Sequence, residues 1–182
     1  MQVSFYLLSH HKVPNAEALV DFVCHLIQTA QQKSEQGTRM LIIDDDEARL
    51  QQLDDKLWSF SATSFLPHTL ITASDTVNDT DISDINNDTN IITTANTAPI
   101  LLSSDTTYAI HTQQHQSTSH PEQKFHLLIN LAQQPIKNLQ HSDNQPNRLL
   151  EIIAPDDASV QQGREKYRFY QQLGFALNHF KL

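Results

Sequence analysis

Two short apolar runs bracketing one amphipathic helix constrain this chain more than any other feature. Val3 to Leu8 is rich in strand formers, and Met40-Leu41-Ile42-Ile43 is apolar at every position. Between them Leu19, Val20, Phe22, Val23, Leu26 and Ile27 recur at helical spacing, with Asn15 placed to cap the helix and Gly37 near its end. A strand that is apolar throughout needs cover on both faces, and a strand-helix-strand crossover joins parallel strands. The expectation is an α/β fold: an open, mostly parallel sheet with helices on both faces.

The rest of the chain continues the pattern. Ala98 to Leu102, Lys124 to Leu131 and Arg148 to Ile153 read as further strands, and Ala48 to Trp58 as a second helix. Ala158 to Leu173 reads as the last helix, capped by Asp156 or Asp157, stopped by Gly174 and closing the fold. A length of 182 residues suits one domain. Within it, Thr72 to Thr97 shifts abruptly to Asp, Asn, Thr and Ser, with Asp75, Asp79, Asp81, Asp84 and Asp88 and no Lys or Arg. Such a segment buries too little apolar surface to offset its ordering entropy, so the composition predicts a mobile acidic insertion at about 72–97. It lacks the glycine and terminal glutamate of a calcium loop.

Charge and motif content narrow the function. A net charge of -9 argues against broad binding to phosphate backbones, so nucleic acid is expected to be reached through another protein. Cys24 is the only cysteine, which excludes an internal disulfide and a cysteine zinc site. The first residues lack the basic start of a signal peptide, and no apolar run approaches the roughly 20 residues that span a bilayer, which points to the cytoplasm. The glycines are Gly37, Gly163 and Gly174, too few for a dinucleotide turn or a phosphate loop. A nucleotide-fold outline without those glycines suggests a scaffold, and no cofactor is expected. His111, His115 and His120 sit among Gln, Ser and Thr, which fits a solvated loop better than a metal cluster.

Asp44-Asp45-Asp46-Glu47 follows the second strand, where open α/β sheets place ligands. Asp44, Asp45 and Asp46 therefore suggest a Mg²⁺-dependent phosphoryl-transfer or receiver-like site as an alternative function. The competing reading is that Asp45 or Asp46 caps the next helix, and no lysine follows a later strand as receiver chemistry needs.

Two other stretches suggest binding. In the last helix Val160, Gly163, Tyr167, Tyr170 and Leu173 or Gly174 form one stripe, with Arg164, Arg168 and Gln171 beside it. Arg164, Lys166, Arg168 and Lys181 face a single acid, Glu165, so an acidic protein ends in a basic patch. Such cations complement a helix dipole, and arginine forks beside an aromatic ring also suit an acidic peptide or a terminal carboxylate. The segment from Trp58 to His68 holds Trp58, Phe60, Phe65, Leu66 and Pro67, which fits either a cover for the sheet end or an exposed anchor for a partner.

These residues together resemble the chi subunit of bacterial DNA polymerase III. The matching pieces are Phe5-Tyr6-Leu7-Leu8, Gly37 and Arg39 with Asp46-Glu47, Leu53-Asp54 with Leu57-Trp58, and Ser64-Phe65-Leu66-Pro67-His68. They continue in Pro99-Ile100, in Arg164-Glu165-Lys166-Tyr167-Arg168 with Tyr170, and in Gly174-Phe175 with Leu177. The resemblance implies a non-catalytic adaptor of the clamp loader, joining the psi subunit to the acidic C-terminal tail of single-stranded DNA-binding protein. It places the tail on Arg164, Tyr167 and Arg168, with Gln161 and Phe175 beside them, and psi on Trp58, Phe65, Leu66, Pro67 and His68. Gln161 stands where family members carry a lysine, which implies tail binding that is weaker or more sensitive to salt. The insertion is longer and more acidic than the family's loop.

Overall fold

The apolar runs of the sequence become the strands of one parallel sheet. The structure, a computed structural model, describes residues 1–33, 38–60, 65–71, 98–104, 125–137, 139 and 145–182. In chain order the elements are β1 (Gln2–Leu7), α1 (Ala16–Lys33), β2 (Arg39–Ile43), α2 (Glu47–Ser59), β3 (His68–Ile71), β4 (Ile100–Ser103), β5 (Phe125–Asn130), β6 (Arg148–Ile153), α3 (Asp157–Gln172) and β7 (Ala176–Lys181). Gly37, the insertion at 72–97 and His111, His115 and His120 lie outside the described residues.

The seven strands are ordered β3-β4-β2-β5-β6-β1-β7, and every pair is parallel. Two of them were not expected from the sequence. β3 is four residues long and follows a proline, and β7 has mostly exposed side chains. Neither carries the apolar run that marks a buried strand.

The pleat divides the core in two. Met40, Ile42, Ile129, Leu150 and Ile152 pack with Val20, Val23 and Ile27 of α1 and Leu50, Leu53 and Leu57 of α2. On the opposite face Val3, Phe5, Leu41, Ile43, Leu128, Leu149 and Ile153 pack under Tyr167 and Tyr170 of α3. Each fully buried aliphatic side chain contributes about 1.5–3 kcal/mol, and β2 and β4 are buried throughout. Cys24 belongs to the first layer; burial pushes its thiol up to about 12, which keeps it protonated and inert.

The ends of α3 are fixed by local chemistry. Asp156 is its N-cap, accepting from Ser159 N–H at 2.8 Å. Gly174 takes φ 75, so that its N–H reaches Gln171 O at 3.0 Å and Phe175 N–H reaches Tyr170 O at 3.2 Å. That turn lays Phe175 against Tyr170, with ring centroids 6.2 Å apart. At Gly163 a Cβ would come within 3.0 Å of Ile153 Cδ1, so the absent side chain lets α3 seat closely on β6.

The Asp156 cap also sets a pH dependence. Its hydrogen bonds to Ser159 hold the carboxyl below its ordinary value. The group therefore favours the folded state above the unfolded pKa of about 3.9, and this contribution is lost as pH falls through the lower folded value. Asp156→Ala should cost about 1 kcal/mol at pH 7 in urea unfolding, with the difference from the parent protein shrinking at acidic pH. An unchanged midpoint at pH 7 would show that the cap adds nothing to stability.

Candidate functional site

A buried polar cluster anchors α3 before any exposed residue is considered. Glu151 lies within the apolar run of β6 and is fully buried. Its Oε2 pairs with Lys166 Nζ at 2.7 Å, and its Oε1 accepts from Tyr170 Oη at 2.7 Å and from Asn130 Nδ2 at 2.9 Å. Lys166, only 2% exposed, also donates to Ala132 O, and Ile136 N–H donates to Tyr170 Oη at 2.8 Å. Burial and the Glu151 charge hold the Tyr170 hydroxyl well above its ordinary value, so it stays a donor. The expected basic patch is corrected here: Lys166 points inward, because its position on α3 falls between the buried Gly163 and Tyr170.

What remains outside is two guanidinium groups beside aromatic surface. Arg164, Arg168 and Gln161 are exposed, whereas Tyr167 and Phe175 are half-buried. Tyr167 stacks at 5.4 Å on Phe5 of β1, and Gln161 Nε2 donates to Glu165 at 3.3 Å. Helix geometry fixes where the arginines lie. Lys166 and Tyr170 point to β6 and Tyr167 to β1, so at 100° per residue Arg164, Gln171 and Arg168 follow on the flank toward β7. α3 packs against β6, β1 and β7, which places that flank over the last strand.

The aromatic stretch separates into cover and anchor. Leu66 is in the core, and the His68 ring is buried, its Nδ1 2.7 Å from Leu66 O. A carbonyl only accepts, so Nδ1 carries a proton. Nε2 lies 3.2 Å from Asp54 Oδ1 but without the alignment of a hydrogen bond. Above them Trp58 and Phe65 are 59% and 58% exposed, with ring centroids 5.2 Å apart, and Pro67 is exposed beside them. Trp58 also stands 5.0 Å from the His68 ring. Of the five residues expected to form one contact surface, three are available to a partner, and Leu66 and His68 support them from beneath.

The acidic run after β2 is occupied by the chain itself. Asp44 is buried and takes a bidentate pair from Arg49, Nε to Oδ2 at 2.5 Å and Nη2 to Oδ1 at 2.6 Å. Burial nonetheless pushes its carboxyl above the ordinary value, and the pair raises Arg49. Asp46 caps α2 by accepting from Arg49 N–H at 3.1 Å, and Asp45 accepts from Gln133 N–H at 3.0 Å. Asp45, Asp46 and Asp156 line a cleft of about 540 Å³ at the carboxyl ends of the strands. Its helix N-termini are therefore already supplied with carboxylates where a nucleotide would bring phosphate. Among the described residues no cluster of three metal-ligating side chains occurs.

Comparison with known proteins decides the family. A model of the DNA polymerase III chi subunit, HolC, matches residues 1–178. The chain belongs to the chi subunit family. A relative, DNA polymerase III subunit chi of Pseudomonas aeruginosa, is 26% identical over all of this chain and 96% of its own. Its counterpart from Escherichia coli is 37% identical over 37% of this chain and 44% of its own. Chi family membership makes the protein an accessory subunit of the DNA polymerase III complex with a role in DNA replication.

Solved structures add the fold alone. The C-terminal domain of S. cerevisiae Dbp5 superposes with a TM-score of 0.62 at 10% identity, covering 99% of this chain and 89% of its own. Domain 2 of the DEAD-box helicase Mss116p gives 0.59 at 10% identity over 100% of this chain and 65% of its own. This chi chain thus shares the fold of those domains, and the cleft at the carboxyl ends of its strands is lined by its own acids.

Sequence reading missed Glu151 and Asn130. A signal existed in Arg148-Leu149-Leu150-Glu151-Ile152-Ile153, because an acid inside an apolar strand requires a buried partner. Lys166, three residues after Gly163 and four before Tyr170, was the cation on the matching face.

Proposed function

We propose that the protein is a non-catalytic adaptor of the replisome. The α3 flank holds the acidic C-terminal tail of single-stranded DNA-binding protein, and the Trp58–Phe65 corner docks the psi subunit and so the clamp loader. In this reading it works in the cytoplasm at the replication fork, as one half of a heterodimer with psi. One observation carries it: Arg164 and Arg168 stand exposed beside half-buried Tyr167 and Phe175, with no carboxylate paired to them among the described residues. Arginine forks next to half-buried aromatic rings suit a peptide that ends in an aromatic residue and a free carboxylate.

The test is a titration with an acidic peptide ending in Asp-Phe-Ile-Pro-Phe. Binding should fall in the micromolar range, roughly -8 kcal/mol, and weaken as salt rises. Arg164→Ala should weaken it at least about tenfold, the loss of one charge-assisted contact. No binding at low salt would sink the tail assignment.

A further inference from the structure

The open edge of the sheet lies beside the arginines. β7 pairs with β1 alone, so its other side carries main-chain groups with no strand partner among the described residues. Leu182 shows which residues those are. Its N–H donates to Leu7 O at 3.0 Å and its C=O accepts from Ser9 N–H at 2.9 Å, both toward β1. Main-chain groups of successive strand residues point to alternate sides. Ala176, Asn178 and Phe180 therefore turn theirs to β1, and Leu177, His179 and Lys181 turn theirs outward.

The same three residues present their side chains on the α3 side. Leu177 pairs with Val3, His179 with Phe5 and Lys181 with Leu7, and Val3, Phe5 and Leu177 share the core beneath α3. On its α3 side the edge thus carries Leu177, His179 and Lys181, next to the helix flank that bears Arg164 and Arg168. Edge strands are templates for another strand unless blunted or covered, and no described element covers this one.

We propose that β7 accepts an added strand from the acidic partner held on α3, so that the partner is bound through its main chain as well as its carboxylates. This rests on the tail-binding reading above and adds the mode of binding. Charge selects the occupant. Arg164, Arg168 and Lys181 are exposed on the α3 side of the sheet, and the exposed acid on α3 after its first turn, Glu165, is engaged with Gln161. A second copy of this chain would bring like cations together, which opposes pairing.

Proline provides the test. His179→Pro removes an outward N–H while leaving the ladder to β1 intact, and proline is tolerated on an edge strand in that orientation. His179→Ala controls for the ring. Titrated with the acidic peptide, full-length His179→Ala should stay within about twofold of the parent. His179→Pro should bind about tenfold more weakly, the loss of one main-chain hydrogen bond. A second arm needs no protein variant: peptides N-methylated at alternate amides upstream of the terminal phenylalanine should lose binding in one phase and keep it in the other.

Equal binding by His179→Pro and by both methylated peptides, with Arg164→Ala still defective, would overturn strand addition and leave tail binding standing. Failure of the unmodified peptide to bind the parent protein would overturn both. Sedimentation that finds a dimer of the parent, dissociated by His179→Pro, would assign the edge to a second copy and overturn the acidic occupant.

Discussion

Lys166→Met should destabilise the fold by about 3–5 kcal/mol, a large part of the 5–15 kcal/mol typical of a domain. The ammonium makes the 2.7 Å pair that balances Glu151, whose side chain has no exposure to water. Without it the Glu151 charge keeps only the neutral donors of Asn130 and Tyr170. Methionine replaces the stem of lysine at nearly equal volume, so the loss reports the charge rather than a cavity. Urea unfolding of Lys166→Met, of Glu151→Gln and of the double variant gives the coupling directly. The double variant should recover part of the loss, because glutamine still accepts from Tyr170 and Asn130. A single-variant cost below about 1 kcal/mol would mean that the carboxylate finds other solvation and that the pair does not anchor α3.

If the Trp58–Phe65 corner docks psi as proposed, Trp58→Ala should weaken that association by about thirtyfold or more, the 2 kcal/mol threshold of an interfacial hot spot. Trp58 combines high exposure with a fixed setting between Phe65 and His68, so little side-chain freedom remains to be lost on docking. Because the side chain is outside the core, thermal stability of the isolated protein should hardly change. Phe65→Ala should weaken psi binding in the same direction, and Arg164→Ala should leave it untouched. Calorimetric titration with purified psi checks all three, and an unchanged affinity for Trp58→Ala would move the psi surface elsewhere.

The sequence announced those parts of the molecule where burial is strong. β1, β2, β4, β5 and β6 were visible as apolar runs, and α1, α2 and α3 by their period and caps. β3 and β7 were not, because a strand at the margin of a sheet is only partly covered and its side chains need not be apolar. The arginines of α3 were found by charge, but charge has no direction. Lys166 shares the sign of Arg164 and Arg168, and only the helical angle separates the cation that faces Glu151 from those that face water. The family resemblance grouped Leu66 and His68 with Phe65, whereas alternation along the chain sends them inward. The pairing of Asp44 with Arg49 likewise needed the turn between β2 and α2, which brings side chains five positions apart into contact.

The order of the sheet sets how two partners can communicate. β3 and β7 are its opposite margins, so the aromatic corner and the arginine flank are separated by six strand spacings, about 29 Å at 4.8 Å each. The layers between them are close-packed, and every strand runs the same way. In the adaptor reading proposed above, sites so far apart on one sheet are expected to bind independently, with a coupling free energy near zero. On that proposal the gain from holding both partners is one of effective concentration: each is kept within reach of the other's assembly. A link of the proposed kind would release either end at that end's own rate, and salt would weaken the arginine margin without loosening the aromatic one.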